Sequence, residues 1–202
     1  MKLSSYTGGM TETNGYLLET PDGHVLIDAP EGVAGWLEEK GVRVDVVLLT
    51  HQHYDHVLDA AALAESGAKL RAFSKYSPEL TLEAAARTWG MPISVKAYEV
   101  DELIAAGGEL EACGLTFSVS HVPGHATDGL IFFLEGAGVL FSGDTLFAGS
   151  IGRTDLPGGD TQQLLDGIDK HIMTLAPETR VLSGHGPATT VGDEASRNPF
   201  LA

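Results

Sequence analysis

The stretch Thr50-His51-Gln52-His53-Tyr54-Asp55-His56 follows directly on the apolar run Val46-Val47-Leu48-Leu49. It brings three imidazoles and one carboxylate into six residues, at the carboxyl end of a predicted buried strand. Imidazole and carboxylate groups are ligands of Zn²⁺ and of other first-row divalent cations. The stretch therefore predicts a metal site, and a polar loop with surface histidines is the weaker interpretation.

Three further predicted strands also end in candidate metal ligands. The apolar runs 115–120, 138–142 and 180–182 are followed by His121-Val122-Pro123-Gly124-His125, by Gly143-Asp144-Thr145 and by Ser183-Gly184-His185. A glycine beside each ligand allows a sharp turn and a close approach of the backbone to an ion. With the first stretch they offer five histidines and two aspartates, a number suited to two metals that share a carboxylate. The candidate ligands are His51, His53, Asp55, His56, His125, Asp144 and His185.

Short strands alternate with helices along the chain. The apolar runs 15–20 and 24–28 flank a turn at 21–23, which predicts a hairpin. A helix is predicted to begin at Pro30 and to end at Gly41. The run 44–49 is apolar on both faces, so we expect it in the centre of a covered sheet.

The remaining elements follow the same pattern. Helices are predicted over 58–65 and from Ser77 to near Gly90, with a short strand at 69–73 between them. Asp160 with Gln163 resembles a capping box at the start of another helix. The glycine pairs at 107–108 and 158–159 are predicted turns. Because no linker or composition shift interrupts the pattern, a single domain is predicted over 1–202.

Composition narrows the function classes. The 202 residues are 43% apolar, which suits one sizeable core, and no apolar run approaches the length of a membrane span. The net charge is −16, and two divalent cations would leave roughly −12, so we expect no nucleic-acid partner. The start of the chain lacks a secretory-type apolar stretch, and Cys113 is the only cysteine, so a cytoplasmic location is expected.

The ligand pattern resembles the metallo-β-lactamase superfamily. The resemblance is carried by His51-x-His53-x-Asp55-His56 with His125, Asp144 and His185, and it spans about 14–200. It implies an α+β fold, a four-layer αββα sandwich with the metal site at one rim of the two sheets. It also implies how the metals are held: one by His51, His53 and His125, the other by Asp55, His56 and His185, with Asp144 bridging.

Within that superfamily the chain looks like the glyoxalase II (hydroxyacylglutathione hydrolase) branch. The segments that carry this resemblance are 143–147, 152–156, 184–189 and the tail Asn198-Pro199-Phe200. Enzymes of this branch hydrolyse glutathione thioesters such as S-lactoylglutathione. The chain stops at Ala202, without the C-terminal helical extension of longer members, so it resembles the short bacterial and archaeal form and its thiol carrier stays open. Val57-Leu58-Asp59 stands where many members have small glycines, which should alter loop packing and leave ligation intact.

The resemblance predicts a dinuclear metal-dependent hydrolase whose partner is a small-molecule thioester. Two divalent cations, zinc first with iron or manganese as alternatives, would lower the pKa of a bridging water from about 15.7 to roughly 7. The resulting hydroxide would attack the thioester carbonyl, and Asp55 is the predicted catalytic residue that orients it. No substrate-binding residue is assigned.

Other functions compete with this one. Persulfide dioxygenases share the Gly-Arg-Thr-Asp loop at 152–155 but use one iron, held by two histidines and one aspartate. Here Gly184-His185-Gly186 favours two metals. A lactonase or β-lactamase-like hydrolase stays open because loops decide the substrate. A flavodiiron protein is disfavoured by His53, where those proteins carry glutamate, and a binding protein with a structural metal is disfavoured by the complete ligand set.

Six other polar residues also receive interpretations. His24, His121 and His171 are read as satisfied histidines, although His121 could support His125. Cys113 is read as a small filler in a turn, since nothing cationic flanks it. Arg153 is read, with its neighbour Asp155, either as a substrate contact or as half of an internal ion pair.

Overall fold

The computed structural model describes residues 1–201. The described chain divides into two compact units, residues 1–104 with 112–114, and residues 105–111 with 115 onward. Each unit holds one six-stranded sheet. The prediction of a single domain over 1–202 stays a prediction, and Ala202 lies outside the described residues.

The sheet of the first unit is mixed. Its strands, in spatial and chain order, are β1 (Lys2–Gly8), β2 (Thr13–Thr20), β3 (Gly23–Ile27), β4 (Val46–Leu48), β5 (Lys69–Ala72) and β6 (Glu102–Leu103). The first three strands pair antiparallel, and β3 to β6 pair parallel. The predicted hairpin at 15–28 is therefore confirmed, and so is the central position of the apolar strand at 44–49.

Five short helices belong to the first unit. They are α1 (Val33–Lys40), α2 (Tyr54–Val57), α3 (Ala60–Glu65), α4 (Pro78–Thr81) and α5 (Glu83–Thr88). Val33 and Leu37 of α1 join Leu17, Leu26 and Val47 of the sheet in one buried cluster. Burial of these side chains stabilises the sheet that carries the first candidate ligands.

The sheet of the second unit runs in the order β14-β13-β10-β9-β8-β7. The strands are β7 (Gly107–Ala112), β8 (Leu115–His121), β9 (Leu130–Leu134), β10 (Val139–Gly143), β13 (Arg180–Ser183) and β14 (Thr189–Thr190). A separate small hairpin is formed by β11 (Leu146–Phe147) and β12 (Ser150–Ile151). The only parallel pair recorded in this sheet among residues 1–201 is β10 with β13, so the ends of these two strands lie at the same edge.

Two helices complete the second unit, α6 (Thr161–His171) and α7 (Val191–Arg197). Leu164 and Ile168 of α6 pack with Ile131, Leu140 and Val181 of the sheet. The Asp160 carboxylate accepts a hydrogen bond from the Gln163 N–H at 3.0 Å, which confirms the predicted helix start. The backbone N–H of Asp160 donates to the Gly124 carbonyl at 2.8 Å, which ties the start of α6 to the segment before His125.

Three local predictions were wrong in detail. The helix expected from Pro30 begins at Val33, after Gly32 with φ 87°, because the chain first turns to reach the helix. The helix expected from Ser77 to Gly90 is interrupted at Leu82, whose left-handed backbone (φ 54°) separates α4 from α5. The glycines at 107–108 lie in β7 and not in a turn.

Within residues 1–201, no helix combines the length and the apolar character needed to cross a membrane.

Candidate metal centre

The first four candidate ligands lie together at the carboxyl end of β4. His51 and His53 stand in the loop after the strand, and Asp55 and His56 stand in α2. The ring of His51 lies 4.6 Å from that of His53 and 4.1 Å from that of His56, measured between centroids. The His56 Nε2 and an Asp55 carboxylate oxygen are 3.9 Å apart. The first unit therefore gathers these groups as the sequence predicts.

A buried carboxylate that sequence reasoning did not single out holds this loop. Asp28 directly follows β3 and is 2% exposed, and its Oδ1 accepts the backbone N–H of Thr50 at 2.7 Å. Its Oδ2 accepts the Thr50 hydroxyl at 2.7 Å and lies 2.8 Å from His56 Nδ1. Because β3 and β4 are parallel, Asp28 and the His51 loop lie at the same edge of the sheet.

These contacts fix the tautomers of two histidines. An ionised carboxylate can accept a hydrogen bond but cannot donate one. In the contact with Asp28, His56 Nδ1 therefore carries the proton and Nε2 carries the lone pair. The Thr50 hydroxyl hydrogen is used on Asp28, so the hydroxyl oxygen accepts from His51 Nδ1 at 3.1 Å. Nε2 is then the nitrogen with which each ring could bind a metal, which is the arrangement that metal-bound histidines adopt.

Asp55 is positioned from a different strand. The Thr13 hydroxyl in β2 donates to Asp55 Oδ2 at 2.9 Å, and Thr13 is fully buried. The contact joins residues 42 positions apart, so nothing local in the sequence signals it. It holds one oxygen of a predicted ligand in place.

Gln52, between the two histidines, fixes the loop through hydrogen bonds to two other segments of the first unit. Its side chain accepts the Tyr98 hydroxyl at 2.9 Å and donates to the Ser74 carbonyl at 3.1 Å. Gln52 is fully buried and Tyr98 is 8% exposed. Hydrogen bonds in such a dry setting restrict the orientation of the loop that carries His51 and His53.

The other three candidate ligands lie together in the second unit. Asp144 directly follows β10, His185 follows β13, and His125 follows β8. One carboxylate oxygen, Asp144 Oδ2, is 3.5 Å from His125 Nε2 and 3.4 Å from His185 Nε2. The parallel pairing of β10 with β13 brings Asp144 and His185 to one edge.

His125 is oriented by the loop that resembles glyoxalase II. Its Nδ1 lies 2.8 Å from the Arg153 carbonyl oxygen, which can only accept, so Nε2 again holds the lone pair. A Cβ on Gly152 would lie 1.9 Å from the Asp144 carbonyl oxygen and 3.0 Å from the Cβ of His125. Only glycine therefore permits this close approach of the loop to both ligands.

Asp59, shortly after the first stretch, contacts the start of α1. Its carboxylate accepts the Ala34 N–H at 2.9 Å, at the start of α1 where Gly32 has no side chain to cap the helix. Burial raises the pKa of Asp59, and the backbone N–H groups of Ala34 and Gly32 lower it by less. This contact ties the segment after the histidine stretch to α1.

Each set of donors suits a divalent metal by its chemistry. The first unit offers three imidazoles and a carboxylate, and the second offers two imidazoles and a carboxylate. For His51, His56 and His125 the second ring nitrogen is held by a neighbouring group, as a bound metal requires. Borderline nitrogen and hard oxygen donors without thiolate fit Zn²⁺, Fe²⁺ or Mn²⁺.

The residues interpreted as structural are held elsewhere. His24 Nδ1 lies 2.8 Å from the Arg43 carbonyl, and His121 Nε2 lies 2.9 Å from the Thr127 carbonyl. Burial raises the pKa of the Cys113 thiol, with a further rise from Asp45, so it stays protonated at neutral pH.

The Arg153 side chain forms an internal ion pair with Asp155, which was one of the two roles predicted for it. Its Nε lies 2.7 Å from Asp155 Oδ1, and its Nη2 donates to Asp155 Oδ2 at 2.8 Å. The hydrogen bond to Arg153 lowers the pKa of Asp155 to about 2.

The comparisons define the class of protein. The model of the metallo-β-lactamase superfamily matches residues 8–185, and the chain belongs to that superfamily. The chain shares its fold with a solved structure titled BLEG-1 B3 metallo-β-lactamase, at 36% identity and a TM-score of 0.89 over 99% of both chains. The expected α+β metallo-β-lactamase fold is therefore confirmed.

Individual relatives show which members of the superfamily this chain is similar to. The probable metallo-hydrolase YqgX of Bacillus subtilis is 34% identical over 100% of this chain and 98% of its own length. The hydroxyacylglutathione hydrolase GloC of Haemophilus influenzae is 38% identical over 82% of this chain and 79% of its own. The structure of TTHA1623 in a di-iron-bound form is 38% identical, with a TM-score of 0.86 over 98% of this chain and 100% of that one. The predicted likeness to the hydroxyacylglutathione hydrolases is thus confirmed as a likeness.

Proposed function

We propose that the two sets of ligands form one dinuclear centre and that the chain is a metal-dependent thioester hydrolase. In this proposal His51, His53 and His125 hold one metal, and Asp55, His56 and His185 hold the other. Asp144 bridges them. The match of one family model across both sets supports treating them as a single site.

The observation that carries the proposal is the placement of Asp144. A single carboxylate oxygen lies within 3.5 Å of the ligating nitrogens of His125 and His185, which the superfamily assigns to different metals. A carboxylate between two imidazoles in this way is suited to bridge two cations. The mononuclear alternative gives His185 no ligating role and leaves this contact without a purpose.

The side chains of this chain supply orientation. Two bound cations would lower the pKa of water and polarise a carbonyl oxygen. Asp55, which the Thr13 hydroxyl holds in place, is the residue that would orient the attacking water and accept its proton. Thiolates leave readily without strong acid assistance, so the site needs no further proton donor.

Thioesters are favoured as substrates by the relatives. GloC, whose name states hydroxyacylglutathione hydrolase, is 38% identical over most of this chain. We propose a small-molecule thioester as the substrate, with the thiol carrier unassigned. The proposed metals are two divalent ions, for which the donor chemistry allows zinc, iron or manganese. The di-iron-bound form of TTHA1623 supports iron.

One alternative has a specific observation in its favour. The structure titled BLEG-1 B3 metallo-β-lactamase is 36% identical over nearly the whole chain, which supports a β-lactam ring as a second candidate substrate. Both reactions use the same centre and differ in the carbonyl that is attacked. Substrate choice therefore depends on the loops around the metals.

The test is a substrate panel with a metal count. Metal-loaded protein is assayed with S-lactoylglutathione, an N-acetylcysteamine thioester, a cephalosporin, a lactone, and glutathione persulfide with an oxygen electrode. We expect thioester hydrolysis that depends on about two metals per chain and is abolished in a folded Asp144→Ala variant. Oxygen uptake with one iron per chain would instead identify a persulfide dioxygenase, and ring opening alone would identify a lactam or lactone hydrolase.

A further inference from the structure

A pocket of about 340 Å³ lies in the first unit beside Asp55. Its walls come from the turn between β1 and β2, from α2 and from the segment that follows α5. The volume falls at the small end of the range of about 300–1,000 Å³ typical of small-molecule sites. Because Asp55 lines the pocket and is a proposed ligand, a molecule in this pocket lies beside one residue of the proposed centre.

The walls of this pocket are largely apolar. Met10 contributes from the turn, Leu58 from the end of α2, and Pro92 and Ile93 from the later segment. Tyr54 also lines the pocket, and its hydroxyl donates to the Met91 sulfur at 3.8 Å, away from solvent.

The charged side chains that line the pocket are all negative. Among the described lining residues the charged side chains are the carboxylates of Glu31 and Asp55, and none is a lysine or arginine. A substrate group with its own carboxylate would meet repulsion here and find no cation to pair with. The glutathione moiety, with two carboxylates, does not suit this pocket.

We propose that this pocket receives the acyl group of the thioester and selects apolar, uncharged acyl chains over short polar or carboxylate-bearing ones. The inference rests on the proposed thioester hydrolysis and adds its substrate class. An acyl chain meets the pocket with the right chemistry because its methylenes bury against Met10, Leu58 and Ile93. Its position next to Asp55 keeps the carbonyl at the centre while the chain extends away.

The test compares N-acetylcysteamine thioesters that differ only in the acyl group. Acetyl, butanoyl, hexanoyl and succinyl thioesters are assayed for kcat/KM with the metal-loaded full chain. We expect kcat/KM to rise roughly fourfold for each methylene that is buried, up to the length the pocket holds. The succinyl thioester should fall at least tenfold below butanoyl, since its terminal carboxylate faces Glu31.

Two variants with matched controls tie the selectivity to this pocket. Leu58→Ala should lower the hexanoyl-to-acetyl ratio of kcat/KM roughly tenfold, and Leu103→Ala, at an exposed leucine of β6 outside the pocket, should leave the ratio unchanged. Glu31→Lys should raise the succinyl-to-butanoyl ratio roughly tenfold. Glu38→Lys in α1 makes the same charge change outside the pocket and should not.

The failure of this inference differs from the failure of the proposed function. Thioester hydrolysis with a flat acyl-length profile, or a profile that Leu58→Ala does not alter, overturns the pocket assignment alone. If no thioester is hydrolysed, the proposed function fails, and the pocket is tested by binding. Saturation-transfer NMR should then show S-hexyl-N-acetylcysteamine bound more tightly than its S-methyl analogue, and equal binding overturns the inference. Selectivity that follows the thiol moiety at constant acyl group also overturns it.

Discussion

Replacement of Asp28 by asparagine tests how the fold orients the first set of ligands. Asp28 accepts three hydrogen bonds, from the Thr50 N–H, the Thr50 hydroxyl and His56 Nδ1. Its backbone is left-handed, with φ 59°, and asparagine tolerates that conformation well. Asp28→Asn therefore changes the hydrogen bonding with little backbone strain.

The magnitude follows from the geometry. The amide oxygen can keep the bond to the Thr50 N–H, but the amide NH₂ then replaces Oδ2 and faces two donors, the Thr50 hydroxyl and His56 Nδ1. Buried hydrogen bonds to a charged group contribute about 1.5–3 kcal/mol each, so the loss of two destabilises the fold by about 3–6 kcal/mol. That is a large share of the 5–15 kcal/mol typical of a folded domain. The variant should also bind metal about 10–100-fold more weakly, since His56 loses the acceptor that sets its tautomer.

Urea unfolding of the metal-free protein measures the first effect. With an m value near 2 kcal/mol/M, the midpoint should fall by roughly 2 M while m stays constant. Equilibrium dialysis against a metal buffer measures the second effect. Asp22→Asn, at an exposed aspartate of the turn between β2 and β3, is the control and should match the wild type in both. A midpoint within about 0.3 M of the wild type, or unchanged metal affinity, would refute the role assigned to Asp28.

Two further predictions concern residues that position the loop. Thr13→Val removes the hydroxyl bonded to Asp55 and should weaken metal binding about tenfold. Thr13→Ser keeps a hydroxyl and should restore the affinity. Equal metal affinities of Thr13→Val and the wild type in equilibrium dialysis would show that this contact does not support metal binding. Asp59→Asn tests a pH dependence, because burial raises the Asp59 pKa. The stability linked to a raised carboxyl pKa is complete below the unfolded value of about 3.9 and is lost as pH rises through the folded value. As the pH rises from 4 to 7, the free energy of unfolding of Asp59→Asn should therefore increase relative to that of the wild type, as measured in urea titrations. A difference between the two proteins that does not change with pH would contradict this.

Much of the site could be predicted because each ligand follows an apolar strand. The buried run around β4 and the runs at β8, β10 and β13 are visible in the sequence, and the carboxyl ends of parallel strands lie at one edge. The glycines beside His125 and Asp144 also signalled tight turns. The positions of these strands and the type of donor were therefore accessible from local pattern alone.

The missed features depend on contacts between distant residues. The start of α1 is capped by Asp59, which lies 25 positions from Ala34, so Pro30 misled the helix prediction. The contact of Thr13 with Asp55 has no periodic or motif signature. Asp28 did leave a signal, a carboxylate that ends a buried apolar run, and that signal predicts an inward-facing acceptor.

The central claim is that seven side chains hold two cations, and a metal count tests it most directly. Wild-type protein, dialysed against zinc or iron(II) and assayed by inductively coupled plasma mass spectrometry, should contain two ions per chain. His185→Ala should contain one, because its ring is assigned to the second metal, whereas His171→Ala, the same substitution on α6, should keep two. One ion per chain in the wild type, or two in a folded His185→Ala variant, would contradict the dinuclear assignment.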